Sequence, residues 1–247
     1  MSGGELTCGR GGLFLERADV MRTMHRLSNR LVGDHVVGAP MLVVAGGCLV
    51  GGLAGLVADR VARRLTFSQA TAPTWASMLA GAVLLPWTLS VAPDPMAVAA
   101  SIGLLAALLT LSLVDIADFR LPDVVTLPLA AAGIVWALEA GAPIGPRLVG
   151  AAVGYLVIAA LAGAYRRLRR RKGIGLGDAK LLAAAGAWLG WEPLPLVVLT
   201  SCALALALIG VRVVGRGAAS LSRPLAFGPA LGLGFWIVWS LRLAGRV

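Results

Sequence analysis

MAVAASIGLLAALLTLSLV, residues 96–114, runs nineteen residues without a charge, and Asp115 follows it directly. Wound as a helix at about 1.5 Å per residue, such a run crosses the roughly 30 Å of hydrocarbon in a bilayer. Lipid offers no partner to a bare N–H or C=O, so a helix, which satisfies its backbone from within, is the form this stretch must take. The same reading extends outward to residues 41–58, 75–92, 124–141, 147–165, 179–191, 194–212 and 226–243. Pro73, Pro93, Pro95, Pro143, Pro146, Pro193, Pro195 and Pro224 stand at or near the edges of these runs, where a missing N–H is tolerated. Of the 247 residues 58% are hydrophobic and only 14% charged, with a mean hydropathy of +0.86. A soluble domain carries about 25% charged residues. The chain therefore reads as all-α, a polytopic integral membrane protein of about eight transmembrane helices.

Orientation follows from the basic residues. Loops 59–74, 115–123, 166–178 and 213–225, with Arg212 at the edge of the last, hold thirteen Lys and Arg, whereas the opposite set has only Arg147, Arg242 and Arg246. The richer side is expected to be cytoplasmic, which puts the ends of the chain's central helices, Asp115 and Asp178 among them, at the inner face. Residues 1–37 form a polar tail ahead of a membrane domain over 38–247. Arg22, Arg26 and Arg30 recur every fourth residue within 14–32, as on one side of an interfacial helix. No small-residue cleavage site follows a short apolar run there, so the tail does not read as a cleavable signal. Eight spans put this tail outside, where its five arginines run against the charge rule.

The net charge of +10 does not imply nucleic acid, because the arginines lie between apolar spans and not along one soluble face. Membrane lipids are the expected partners of the run from Arg166 to Lys172. Cys8, Cys48 and Cys202 are far apart, and His25 and His35 have no cysteine or carboxylate pattern beside them. No disulfide framework, metal site or cofactor is expected.

Charges at membrane depth cost several kcal/mol and tend to be functional. Asp115 closes one apolar run, and Asp178 follows Gly173, Gly175 and Gly177 just before another. Two carboxyls within a few ångströms cannot both ionise easily and come to share a proton. That state suits peptide hydrolysis: the ionised member takes a proton from water while the neutral one donates to the scissile carbonyl. Gly175 and Gly177, lacking Cβ, leave room for a substrate backbone beside Asp178. The plain alternative is a flexible junction in which Asp178 serves as the N-cap of the next helix. Lys180, two residues on, points about 200° away from Asp178 on a helix, toward lipid headgroups or a charged substrate segment. Asp118 and Asp123 can tune Asp115 or simply be solvated loop carboxylates, and Asp59 sits among arginines as an ion-pair partner. Glu139 and Glu192 fall at the outer side.

VDIADFRLPDVVTLPL, residues 114–129, resembles the first catalytic region of the prepilin peptidases, bacterial membrane aspartyl proteases that process type IV prepilins. In that family an Asp stands seven residues before the Pro of a Leu/Ile-Pro-Asp/Asn element, as Asp115 does before Pro122 and Asp123. GLGDAKLLAAAGAWLG, residues 175–190, is similar to the family's Gly-x-Gly-Asp-x-Lys-Leu region, with Asp178 and Lys180 in register. PLAFGPALGLG, residues 224–234, matches a Pro-Phe-Gly-Pro element more weakly. The resemblance implies a catalytic pair of Asp115 and Asp178, with Gly175, Gly177, Lys180, Pro122 and Asp123 binding substrate or shaping the site. It implies a prepilin or pseudopilin substrate of type IV pilus or type II secretion systems, cut at the cytoplasmic face of the bacterial inner membrane. Fuller members bind zinc through paired cysteines after the first helix and methylate the new amino terminus. Loop 59–74 here has no cysteine, which excludes a zinc loop of that kind and argues against N-methyltransferase activity. Two rival readings use the same residues: a proton-coupled transporter with the aspartates as a relay, and a non-catalytic scaffold of a pilus or secretion assembly. The oligomeric state is not legible in the sequence.

Overall fold

The computed structural model describes residues 38–67, 72–92, 94–169, 175–217 and 224–246. The expected interfacial helix, both histidines, Cys8, Gly173 and the end of the Arg166–Lys172 run lie outside the described residues. Eight helices are present among those described: α1 (Gly38–Leu65), α2 (Thr74–Val91), α3 (Pro95–Asp118), α4 (Asp123–Glu139), α5 (Ile144–Arg169), α6 (Leu176–Leu189), α7 (Leu194–Arg216) and α8 (Gly228–Leu243). Residues 1–44 form one unit, described only in the opening of α1, and residues 45–247 form the other. Five helices, α1, α2, α3, α5 and α7, are long and apolar enough to cross a membrane. The remaining three have 17, 14 and 16 residues. At about 1.5 Å per residue the 14-residue α6 rises only about 21 Å, so the run expected to span at 179–191 falls short of the hydrocarbon thickness.

Local chemistry sets where the helices begin and end. The Asp94 carboxylate accepts from the Ala97 amide at 2.6 Å, and Pro95 follows in the first turn, a capped start for α3. Phe119 closes α3 in the left-handed region with φ of 52°. Asp115 thus sits inside the last helical turn and not in the loop after it. Helix α1 runs on to Leu65, which carries Arg60, Arg63 and Arg64 on the helix where a loop had been expected. There the buried Asp59 pairs with Arg63 at 2.8 Å and accepts from Thr74 at 3.0 Å. Asp118 accepts from the Phe67 amide at 2.8 Å, so it fastens the turn after α3 to the end of α1.

The core is built around α6, which packs against α4, α5, α7 and α8. Its sequence is mostly Ala, Gly and Leu, and the small residues let neighbouring backbones come close, as helices in lipid require. A Cβ on Gly186 would lie 2.2 Å from the Gly150 carbonyl group of α5. Larger groups fill the other side: Trp188 and Trp136 each meet Trp239 edge-on, at 5.1 and 5.6 Å. Trp188 Nε1 donates to the Leu129 carbonyl and Trp239 Nε1 to Ser101, so both indoles are satisfied within apolar surroundings. Arg147, buried at the far end of α6, donates to the Trp188 carbonyl, one of the carbonyls a helix leaves unpaired at its C-terminus.

The α5–α6 contact makes a specific stability prediction. Gly186→Ala must push backbone against backbone and is expected to cost about 1–3 kcal/mol or more, seen as a lower Tm in detergent. Gly163→Ala, whose methyl would meet nothing within 4 Å, is expected to leave Tm unchanged or slightly raised.

Candidate active site

Three helix ends converge at the side of the bundle that carries the arginines of α1 and α5. The last turn of α3 supplies Asp115, the first turn of α6 supplies Asp178, and the first residue of α8 is Gly228. Asp178 is the third residue of α6, whose N-cap position belongs to Gly175 with no side-chain cap bond. The N-cap alternative for Asp178 is therefore replaced by a place inside the first turn.

Asp115 is buried, and its Oδ2 accepts from the Gly228 amide at 2.7 Å. The unpaired N–H groups and positive dipole end of α8 thus face a carboxylate, a favourable arrangement at a helix start. Only a glycine permits it, because a Cβ at 228 would lie 2.6 Å from that oxygen. Asp178 is half-buried, and its side chain makes no hydrogen bond to another described residue. Like Asp115 at Gly228, it borders the start of α8, through the neighbouring Phe227. A cavity of about 300 Å³ opens beside it, lined by apolar side chains that include Leu182, Phe227 and Leu231.

Most of the other residues singled out from the sequence also gather here. Gly177 lies against the buried Leu121, where a Cβ would be 3.0 Å from that side chain. Gly175 stands beside the Asp178 carboxylate, where a Cβ would be 3.8 Å from Oδ2. Pro122 takes the N-cap position of α4 and Asp123 its first turn. Lys180 donates to Asp123 at 2.5 Å, an exposed ion pair joining the start of α6 to the start of α4. Sequence reasoning had left each of these two charges on its own. It also missed Phe227 and Gly228, whose only signal was the weak Phe-Gly-Pro match. Among the described residues no group of three His, Cys, Asp or Glu is placed to hold a metal ion.

A profile of the Type IV leader peptidase family matches residues 102–211, a stretch that contains both aspartates. A leader peptidase of Escherichia coli, HopD, is 40% identical over 128 residues, which is 51% of this chain and 83% of that protein. The chain belongs to the type IV leader peptidase family. Other members of the family are similar over a smaller share of their length. The prepilin leader peptidase/N-methyltransferase of Aeromonas salmonicida is 42% identical over 142 residues, 55% of this chain and 48% of that protein. The Burkholderia pseudomallei protein of the same name is 45% identical over 138 residues, 55% of this chain and 44% of its own length. This chain therefore spans about half the length of those two relatives. No solved structure gives a significant match.

Proposed function

We propose that residues 38–247 form an aspartic endopeptidase that removes the leader from a type IV prepilin or pseudopilin at the cytoplasmic face of the bacterial inner membrane. Asp115 and Asp178 are its catalytic pair. The observation that carries the reading is that two acids from separate motifs border the same helix start at one end of a membrane bundle, Asp115 at Gly228 and Asp178 beside the apolar cavity that Phe227 lines. Membership of the leader peptidase family supports the substrate class. The thirteen basic residues on the same side support the cytoplasmic orientation.

The chemistry needs one proton shared by two carboxyls. The ionised carboxyl takes a proton from water as its oxygen bonds to the scissile carbonyl carbon, and the neutral one donates to the carbonyl oxygen. The tetrahedral species then collapses, the C–N bond breaks, and the amine leaves with a proton returned from the pair. Gly175 and Gly177 leave space for an extended substrate backbone beside Asp178, and the basic helix ends engage lipid phosphate. The direct test is cleavage of a membrane-inserted precursor by the wild type and by Asp115→Asn and Asp178→Asn. Leader removal by either variant at the wild-type rate would show that the pair is not the catalytic machinery, and a wild type that cleaves nothing leaves a scaffold.

The Lys180–Asp123 pair ties the two motifs together, with side chains 31% and 55% exposed. An exposed pair is worth at most about 1 kcal/mol, so its loss is expected to leave folding intact. Lys180→Glu or Asp123→Lys alone is expected to slow cleavage several-fold, by loosening α6 against α4. The two together restore the pair with reversed sign and are expected to recover most of the rate. A double variant no better than the worse single would show that either charge acts on its own.

A further inference from the structure

Resting on the reading of the carboxyl pair as the hydrolytic centre, we infer that the substrate's apolar segment reaches it sideways from the lipid, between α5 and α7. The stretch just beyond the scissile bond seats on Leu182, Phe227 and Leu231.

The cavity beside Asp178 has a definite shape. Leu182 of α6 and Leu231 of α8 are its buried floor, Ile158 and Leu161 of α5 one wall, and Val198 and Cys202 of α7 the other. Leu161 is 54% exposed and Cys202 is also exposed, so the mouth between these walls faces outward from the bundle. Helices α5 and α7 each pack against α6 but share at most a marginal contact with one another. They are also poorly covered, with 17% and 22% of their apolar windows buried. The gap is thus a slot whose rims stand in lipid.

Depth argues for the same route. Leu161 lines the cavity with Asp178, yet α5 continues eight residues further, to Arg169, a rise of about 12 Å. The short α6 therefore begins well inside the level reached by the end of α5, and Asp178 is recessed from the headgroups. A segment already in hydrocarbon reaches that depth by lateral movement, without first being drawn into water. At about 300 Å³ the cavity is at the small end of ligand sites. It accommodates a few apolar side chains next to the cut and leaves the rest of the substrate helix outside, along the exposed faces of α5 and α7.

A larger groove of about 670 Å³ runs between α3 and α4, and small residues such as Gly103 and Ala132 line it. It is the rival path, but it contains no acid and reaches α6 at Trp188, the end far from Asp178. Lys180, which turns toward α4, is about 200° around α6 from Asp178. The wider groove therefore lies on the side of α6 that faces away from the carboxyl.

Cys202 provides a native probe at the mouth. The full chain with Cys8→Ser, Cys48→Ser and Asp115→Asn retains it as the single thiol and holds precursor uncleaved. Precursors carrying one cysteine at each of the eight positions after the cut are mixed with this enzyme in membranes. Copper(II) phenanthroline then oxidises adjacent thiols to a disulfide. Crosslinking to Cys202 is expected, strongest in the first two turns after the cut, with none to a Cys202→Ser chain that carries Ala132→Cys instead. Crosslinking at Ala132→Cys without Cys202, or at neither site, overturns the lateral route. Cleavage by the parent chain with Asp115 intact is measured alongside. If that chain cleaves while the crosslinks lie at α3–α4, the path is wrong and the hydrolytic reading stands; if it fails to cleave yet crosslinks at Cys202, the reverse holds.

Discussion

Asp178→Asn is expected to lower leader cleavage by roughly 10²- to 10⁴-fold, the range that a positioned acid or base contributes, with the protein still folded in the membrane. Asparagine has nearly the size and shape of aspartate but cannot ionise or carry the shared proton. The change removes an acid held half-buried beside an apolar cavity, and its side chain makes no hydrogen bond to a described residue that would be lost. Stability should therefore hold or rise while activity falls. Asp115→Asn is expected to match it in activity, because the amide oxygen can still accept from Gly228 where the carboxylate did. Since each acid needs the other in the opposite protonation state, the double Asn variant should be hardly worse than either single one. Precursor and mature forms quantified over time in membranes give the rates, and Tm in detergent serves as the control for folding. A single variant within a few-fold of wild type would show that hydrolysis does not run through the pair.

Gly228→Ala is expected to be especially damaging to cleavage, although the residue carries no functional group. An added Cβ would lie 2.6 Å from Oδ2, 2.9 Å from Cγ and 3.0 Å from Cβ of Asp115. A short side chain held near its own backbone cannot swing clear, so either the carboxylate or the start of α8 must move. Overpacking of this kind costs about 1–3 kcal/mol. Displacing a reacting group by about 1 Å can cost about 10²-fold in rate. A loss of about 10- to 100-fold in cleavage is expected. The sign of the stability change discriminates between readings, because an ordinary helical Gly→Ala gains up to about 1 kcal/mol. Gly228→Ala added to Asp115→Asn should cost little further activity, since both act on the same group. Full additivity of the two losses would mean that Gly228 acts elsewhere, for example on Phe227 and the cavity wall.

How much of this was legible in the chain differs by element. The apolar run at 96–114 and its seven counterparts announce helices because lipid leaves the backbone no other partner, and every one of them is a helix in the structure. Their ends were less readable. Helix α1 runs on through Arg60, Arg63 and Arg64, since Asp59, Arg63 and Thr74 satisfy one another there and the charges need not leave the helix. Asp118 looked like a solvated loop acid, but it accepts from the Phe67 amide, a partner 51 residues away that no local pattern reveals.

The sequence by itself determined that the backbone would be helical and lie in the membrane, and it marked the two acids and the glycines beside one of them. Hydropathy and local spacing act over a few residues to a few turns, and those properties have that range. Only the tertiary structure decided that Gly228 would hold Asp115 from 113 residues away, that Lys180 would close on Asp123, and that α5 and α7 would stand apart at Asp178. Such contacts depend on how closely whole helices approach. That approach is set by where small residues such as Gly150 and Gly186 meet across the bundle, a matter of packing that no single stretch of the chain contains.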